Sequence, residues 1–384
     1  MLQDVPMVMI NKRATRIAVS ALFFLTGLCF SSWASRIPDI QQSLRLNDAG
    51  LGSLLLALPV GSVIALPLTG VLISKYSSRQ ILLIAAAAYA AVLPTLGLAH
   101  TAWELSILLV LFGFCGNMAN ISVNTQAVGV EAMYGRSIMA SFHGLWSVAG
   151  FTGAAIGTAM AGLHMAPVYH FLIIAGISWT ILLLTMNHLV LRVPNENKVP
   201  SLFAKPDNFL LTLGIIAMCS MICEGTMFDW GGVYFRRVLL VRDGLSGAGY
   251  AAFMSTMASG RFIADYLTTK FGVKKMLLLS GSLTATGLIV AVIFPYFFPA
   301  MFGFMLVGAG VSAVVPLVYS AAGKSTTIPP GMALATVSTI GYMGFLFGPP
   351  LIGFVAQATS LGVAFTLIAV MGAAIAVMSA RIKV

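Results

Sequence analysis

The sequence has very few charged residues. Only 8% of its 384 residues are Asp, Glu, Lys or Arg, whereas about 25% is usual in soluble globular chains. Hydrophobic residues make up 59% of the chain, and the mean hydropathy is +0.97. A soluble fold cannot bury that much apolar surface. The composition therefore excludes an ordinary soluble protein and predicts a chain that crosses a membrane many times.

Residues that bind metals, form disulfides or hydrolyse nucleotides are also scarce. The four cysteines lie inside apolar runs without metal-ligand spacing, at Cys29, Cys115, Cys219 and Cys223. No P-loop signature occurs, so the chain supplies no ATPase of its own. We therefore expect no metal, no cofactor and no disulfide framework. The net charge of +10 comes from short segments between apolar runs, where basic residues set membrane orientation rather than bind nucleic acid.

Apolar runs of membrane-spanning length divide the chain. A helix needs about 20 apolar residues to cross a bilayer. Twelve such runs are predicted, at 17–36, 49–73, 80–98, 104–129, 137–162, 168–190, 209–235, 245–268, 275–294, 298–322, 331–356 and 361–380. The longest polar interruption predicts an N-terminal six-helix bundle over 1–192, a cytoplasmic linker over 193–208 and a C-terminal six-helix bundle over 209–384. With both termini cytoplasmic, most Lys and Arg fall on the cytoplasmic side, as the positive-inside rule requires.

The two halves of the chain repeat each other. Residues 76–83 resemble residues 271–278, and both segments follow the second apolar run of a half. The dipeptide 32–33 near the end of the first run matches 229–230 near the end of the seventh, because each places a tryptophan after a small polar or acidic residue. Parallel six-helix repeats are a known transporter design, with the substrate site between the repeats near the membrane midplane.

The repeat and the basic loop after the second run of each half resemble the major facilitator superfamily. The loop signature of that family is matched at Gly70, Lys75, Tyr76 and Arg79, and again at Lys270, Phe271, Gly272 and Lys274. Ser74 and Thr269 stand where the family has an aspartate, and Ser77 stands where it has a glycine. The gating role of that aspartate is therefore not carried over to Ser74.

More specific motifs resemble the YbjJ-like branch, a group of bacterial inner-membrane facilitators related to fucose permease. They lie at 32–38, 143–147, 224–230, 260–262 and 341–350. The resemblance implies an all-α fold of twelve transmembrane helices with 6+6 pseudo-symmetry. It also implies that spans 1, 4, 7 and 10 line a cavity. Fucose permease has acids on its first and fourth spans, and this chain has none inside either, so that proton site is not transferred.

Two carboxylates interrupt the seventh apolar run, at Glu224 and Asp229. Loss of water disfavours the ionised form of a carboxyl, which suits a group that takes up and releases a proton. We predict that Glu224 is a proton-coupling residue, and the alternative is a protonated side chain that bonds a neighbouring helix. Asp229 lies on a different helix face. It is either a second relay or the partner of an arginine such as Arg36 or Arg236.

Amides and one histidine mark the fourth and fifth runs. Asn117, Asn120 and Asn124 share a helix face, and His143 is a third proton-coupling candidate because its ordinary pKa lies near neutrality. Either the amides line the cavity and bind a polar solute, or they bond His143 and tie helices together. His143 and Glu224 are predicted in opposite halves of the bilayer, which argues against an enzyme with these two residues in one active site.

The remaining candidates are basic or aromatic. Arg261 and Asp265 are spaced for an i,i+4 ion pair with a structural or gating role, and Lys75 and Arg79 are gating candidates in the first loop. Aromatic rings that could stack on a planar or sugar-like ligand complete the substrate-binding set: Trp33, Trp146, Trp230, Tyr319 and Tyr342. Each of these rings has an alternative role in packing or as an interfacial anchor.

Together these features predict a monomeric secondary transporter of the bacterial inner membrane, with protons and a small molecule as its partners. We expect proton-coupled movement of a small polar solute, such as a sugar or related metabolite, by alternating access. Proton-driven efflux of drugs or toxic metabolites is the alternative. An enzyme would need a nucleophile–base pair or metal set, and a sensor would need a soluble output domain, neither of which the sequence supplies.

Overall fold

The computed structural model describes residues 11–135, 138–190, 207–323 and 330–382, and no strand occurs among them. Its α-helices are α1 (Lys12–Ser35), α2 (Ile37–Ser43), α3 (Asp48–Leu55), α4 (Ala57–Tyr76), α5 (Ser78–Leu96), α6 (Ala102–Tyr134), α7 (Met139–Gly162), α8 (Pro167–Thr185), α9 (Asn208–Arg237), α10 (Ala248–Phe271), α11 (Val273–Ile293), α12 (Phe297–Val311), α13 (Val314–Ala322), α14 (Pro330–Ala358) and α15 (Leu361–Arg381). The predicted all-α class is confirmed.

Ten helical segments in the described chain are long and apolar enough to cross a membrane. Two of them combine neighbouring helices, α3 with α4 and α12 with α13. The predicted runs at 137–162 and 245–268 correspond to α7 and α10, which are outside this set of ten although each has 24 residues. Both helices are rich in glycine and polar residues, which lowers their hydropathy.

Two predicted spans are broken, and a proline explains each break. A proline has no N–H to donate to the carbonyl four residues earlier, and its ring clashes with that carbonyl. Pro59 lies four residues after Leu55, where α3 ends, and α4 begins at Ala57. Pro316 lies four residues after Ser312, in the gap between α12 and α13. The apolar runs alone did not predict these breaks.

The loop repeat is visible in the backbone. Ser77 separates α4 from α5 with φ 122° and ψ 151°, and Gly272 separates α10 from α11 with φ 81° and ψ 156°. This region of backbone space is accessible almost only to glycine. Gly272 therefore adopts it without strain, whereas Ser77 adopts the same turn at a steric cost.

We call the described residues 11–190 the N-half and the described residues 207–382 the C-half. In the N-half, α1 packs along α7, and α6 packs along α4 and α5. In the C-half, α9 packs along α14, and α11 packs along α12 and α15. The halves meet where α7 packs along α10 and where α3 packs along α14. The linker predicted at 193–208 lies outside the described residues, apart from 207 and 208.

Glycines allow the two halves to touch backbone to backbone. A Cβ at Gly52 on α3 would lie 2.9 Å from the Cα of Gly353 on α14. A Cβ at Gly244 would lie 2.5 Å from the Cα of Gly162, the last residue of α7. Side chains larger than hydrogen would separate these surfaces. We call the end of the molecule where α1 and α9 terminate the latched end, because ion pairs join the two halves there.

Candidate functional site

Arg261 is the residue on which the candidate site is centred. It extends from α10 and contacts both α7 and α9. Its Nη1 donates a hydrogen bond to Ser147 Oγ at 2.7 Å, and its Nη2 lies 3.4 Å from Glu224 Oε1. The guanidinium carbon is 5.7 Å from the centroid of the Trp146 ring, within cation–π range. One side chain therefore links the N-half to the C-half.

The pairing with Arg261 explains how Glu224 is accommodated. The Glu224 side chain is 8% exposed and that of Arg261 is 18% exposed. A buried carboxylate without a counter-charge would be strongly destabilising. The contact of 3.4 Å is nevertheless longer than the 2.7–2.9 Å that is typical of a strong charge-assisted hydrogen bond. Glu224 is thus a weakly held counter-ion, and the shorter bond of Arg261 is to Ser147.

The described contacts of Arg261 are with residues on other helices. The sequence predicted an ion pair with Asp265, one turn further along α10, and the side chain of Asp265 lies outside the described residues. In the structure the guanidinium contacts Glu224 and Ser147. Sequence reasoning missed Ser147 as a site residue. Its only signal was its place at the end of the 143–147 motif.

His143 is connected to the Arg261 contact through Ser147. Ser147 Oγ is 3.2 Å from the carbonyl oxygen of His143, and Ser147 also accepts from Arg261. The His143 ring contacts Phe23 edge to face, with centroids 5.3 Å apart. One long arginine side chain therefore reaches both Glu224 and the helical turn after His143. The placement of His143 and Glu224 in opposite membrane halves stays a prediction.

The three asparagines on α6 do not act as one set. Asn117 is buried and donates from Nδ2 to the carbonyl oxygen of Ser62 on α4 at 2.7 Å, so it ties two helices together. Asn124 donates from Nδ2 to the carbonyl oxygen of Asn120 at 2.8 Å, and both side chains are half-buried. Among the described residues, no hydrogen bond joins these amides to the His143 ring. Asn120 and Asn124 remain candidates for binding the solute, because their side chains are half-buried.

An aromatic cluster lies beside the Arg261 contact. Phe228 is at its centre, with ring centroids 6.2 Å from Trp146, 5.2 Å from Phe30, 5.9 Å from Tyr250 and 5.8 Å from Phe253. We call these five residues the aromatic cluster. They come from α1, α7, α9 and α10, so the cluster also spans both halves. Trp146 is the predicted stacking residue that it contains.

The other predicted aromatic residues lie elsewhere. Trp33 and Trp230 are buried, with 1% and 0% exposure, in the hydrophobic core. Tyr319 lies on α13, which packs against α9, the helix that carries Glu224. Tyr342 packs against Phe345 with centroids 5.9 Å apart. Tyr319 is thus near the site, whereas Trp33 and Trp230 are placed for packing.

Asp39 joins the halves at the latched end. Its Oδ2 is 2.5 Å from Arg36 Nε in the N-half, and its Oδ1 is 2.7 Å from Arg236 Nη1 in the C-half. Arg236 Nη2 also donates to Gln42 Oε1 at 2.6 Å. Both arginines that the sequence offered to Asp229 therefore contact Asp39. Among the described residues, no ion pair joins Asp229 to a basic side chain.

The amino-acid sequence decides the family. The profile of the Major Facilitator Superfamily matches residues 19–248 and 239–383. The chain belongs to the major facilitator superfamily. An uncharacterised MFS-type transporter of Yersinia pestis is 38% identical over 358 residues, which cover 93% of this chain and 92% of that protein. Membrane protein MosC of Rhizobium meliloti is 30% identical over 372 residues, covering 96% of this chain and 90% of that protein.

Solved structures of two other transporters have the same fold. The nucleoside transporter NupG superposes with a TM-score of 0.75 at 15% identity, over 96% of this chain and 100% of that chain. The E. coli fucose:proton symporter FucP superposes with a TM-score of 0.63 at 15% identity, over 96% and 98%. The predicted family is confirmed, and the likeness to FucP is consistent with a fucose permease-related branch. The chain is a multi-pass membrane transporter and not an enzyme.

Two gating candidates lie in the superfamily loop between α4 and α5. Arg79 donates to the carbonyl oxygen of Met186 from Nη2 at 3.0 Å and from Nε at 3.3 Å. The Lys75 amine is 5.2 Å from the centroid of the neighbouring Tyr76 ring. Both contacts lie within the N-half. In this structure they hold the loop to its own half, while the Asp39 and Arg261 contacts cross between halves.

Proposed function

We propose that this transporter is proton-coupled and moves a small polar solute by alternating access, with Glu224 as the coupling carboxyl. The observation that carries the proposal is the contact of Arg261 with Glu224 and Ser147. An ionised Glu224 holds the guanidinium between α7, α9 and α10. Protonation of Glu224 removes that attraction, so proton uptake changes the free-energy difference between arrangements of the two halves.

His143 and Asp229 are the supporting groups in this scheme. His143 precedes Ser147 by one helical turn, and its imidazole can accept a proton when water reaches it. Asp229 lies on α9 between Glu224 and the latched end. We propose that Asp229 passes protons between that end and Glu224, while His143 serves the opposite side.

We also propose the topology that this function needs. Helices α7 and α10 complete twelve spans, in bundles at 1–192 and 209–384 that are joined by a linker at 193–208. The length of α7 and α10, 24 residues each, supports this, as does the Lys and Arg distribution. Both termini are then cytoplasmic in the bacterial inner membrane, the latched end is periplasmic, and one chain suffices as a monomer.

A polar solute is supported by the half-buried amides of Asn120 and Asn124 and by Trp146 beside Arg261. A tryptophan ring offers a flat apolar face to a sugar ring, and amides recognise hydroxyl groups. NupG and FucP are, by their names, a nucleoside transporter and a fucose:proton symporter. Polar cargo and proton coupling are therefore compatible with this fold.

The test compares Glu224→Gln with wild type in proteoliposomes. With an imposed pH gradient, we expect the wild type to accumulate solute and to acidify the lumen as it does so. Glu224→Gln should still exchange solute across the membrane but should lose accumulation. Glu104→Gln is the matched control, because Glu104 is exposed and a glutamine preserves the capping box with Thr101. Full accumulation by Glu224→Gln would contradict the coupling role.

Proton-driven efflux of drugs or toxic metabolites is a second candidate. The aromatic cluster favours it, because five rings beside one charge pair also suit a large apolar cargo. The direction of cargo movement under one imposed proton gradient separates the two functions. Efflux predicts that an inward proton gradient drives the cargo out against its own gradient, whereas symport predicts that the same gradient drives it in.

A further inference from the structure

Arg261 carries a positive charge that the protein cannot remove. A guanidinium stays protonated under all physiological conditions. Its side chain is only 18% exposed, and its ion-pair partner among the described residues is Glu224. A buried arginine without a counter-ion is strongly disfavoured. If Glu224 takes up a proton, as the proposed function requires, the part of the protein that the structure describes offers Arg261 no second anionic partner.

We propose that the transported solute supplies this anion: it carries a carboxylate that binds Arg261 in place of Glu224. The inference rests on the proposed function, because Glu224 must be the group that is protonated. The charges balance in both states. Ionised Glu224 with Arg261 has no net charge, and neither has protonated Glu224 with Arg261 and one bound carboxylate. One proton and one carboxylate therefore cross together.

The geometry at Arg261 fits an exchange of carboxylates. Ser147 holds Nη1 at 2.7 Å on one side, and Trp146 lies 5.7 Å from the guanidinium carbon. Those two contacts hold the Arg261 guanidinium in place and leave it free to bind a carboxylate. The contact with Glu224, at 3.4 Å, is the weakest of the three contacts of the guanidinium. A free carboxylate can instead form two parallel hydrogen bonds with the guanidinium.

Other ionisable groups near the pair define the competing possibility. From the elements packed around Glu224 and Arg261, these are Asp229, Tyr250, His143, Tyr319 and Tyr342. Among these described side chains, only that of Asp229 carries a negative charge at neutral pH in water. A solute recognised mainly by Asp229 would be an amine, so an amine is the informative competitor. The class that we infer is a small hydroxylated carboxylate, such as a sugar acid.

Binding to the purified full-length protein tests this inference, with ligands matched in skeleton. We propose panels of a hexose, its uronate and its hexosamine, together with short-chain alcohols, acids and amines. A ligand that binds the folded state raises the apparent melting temperature. We expect acids to bind, and neutral and amine members of the same skeleton to bind at least about tenfold more weakly.

Variants assign the effect to the arginine. Arg261→Gln should weaken binding of the acid at least about tenfold, while Arg45→Gln, at an exposed arginine outside the site, should leave it unchanged. Glu224→Gln should bind the acid at about pH 8 as tightly as the wild type does at about pH 5. The inference is overturned if no acid binds, if neutral or amine members bind equally well, or if Arg261→Gln retains wild-type affinity.

Transport separates this inference from the function on which it rests. Co-transport of one proton with one carboxylate is electroneutral, so an imposed membrane potential should not change the rate of uptake. Voltage-driven accumulation of a neutral solute would overturn the inference and leave proton-coupled transport intact. Acid binding that needs Arg261 but is never accompanied by proton flux would support a carboxylate site at Arg261 and contradict proton coupling.

Discussion

Asp39→Asn is expected to unlatch the end of the molecule where α1 and α9 terminate. Asp39 is 18% exposed and sits between Arg36, 3% exposed, and Arg236, 14% exposed. The substitution keeps the shape of the side chain and removes its charge. Of the two ion pairs of Asp39, only the one with Arg236 joins the two halves. Only the loss of that pair therefore changes the free-energy difference between closed and open arrangements of this end.

The size of the effect follows from burial. Breaking a fully buried ion pair by removing one partner costs about 3–5 kcal/mol. An asparagine oxygen still accepts one hydrogen bond, so we expect about 1.5–2 kcal/mol, which is about 10–30-fold in the open population. Arg237 also pairs across the halves, with Asp48, but its side chain is 48% exposed. Asp48→Asn should therefore cost well under about 1 kcal/mol.

A cysteine at Thr158 reports the opening. Thr158 is half-buried on α7, and a Cβ added at Gly247 in the C-half would lie 2.2 Å from its Oγ1. With Thr158→Cys in every protein, a membrane-impermeant maleimide labels the thiol faster when this contact opens. We expect labelling about 10–30-fold faster with Asp39→Asn and less than about fivefold faster with Asp48→Asn.

Two controls complete that experiment. The protein without Thr158→Cys should not be labelled, because its four cysteines are all buried. Thr158→Cys alone sets the basal rate. Unchanged labelling with Asp39→Asn, or equal effects of the two aspartate substitutions, would refute the assignment of the latch to the more buried pair.

Four substitutions test packing and backbone geometry, each by the apparent melting temperature. Ser77→Gly should stabilise the protein and Gly272→Ser should destabilise it, each by about 1 kcal/mol, because both turns use backbone angles suited to glycine; an equal response at the two sites would contradict this. Gly303→Ala should destabilise it by about 1–3 kcal/mol, since the new Cβ would lie 2.4 Å from a carbonyl oxygen of α11, and a neutral result would show that α11 and α12 can separate. Tyr234→Phe removes a bond of 2.7 Å to the Ala291 carbonyl oxygen at the end of α11 and should lower the melting temperature by about 1–3 °C; no change would mean that water replaces it.

Helix positions could be predicted from the sequence wherever hydrophobicity decides them. The run at 17–36 matches α1, which begins earlier, at Lys12, because Asn11 caps it by accepting hydrogen bonds from the amides of Arg13 and Ala14. A charged first turn is invisible to a search for apolar residues. The breaks before α4 and between α12 and α13 were missed for a related reason. Hydrophobicity does not register the donor that a proline removes.

The candidate site was only partly predictable. A buried acid in an apolar run marked Glu224 without any structure, because its desolvation is unfavourable in any fold. The partner of Arg261 could not be found in this way. Helical spacing offers only neighbours on the same helix, such as Asp265, and the described contacts of Arg261 are with Glu224 and Ser147 on other helices. Such contacts depend on how helices cross, and one sequence does not specify that.

The break before α4 changes how this transporter can open. Of the helices α3 and α4, which Leu56 separates, the short helix α3 forms most of the contact with α14. Residues 37–55 therefore carry Asp39 and Asp48 together on one short segment that ends at Leu56. We expect this segment to move first when this end opens, so that the first step of opening need not move an entire six-helix bundle.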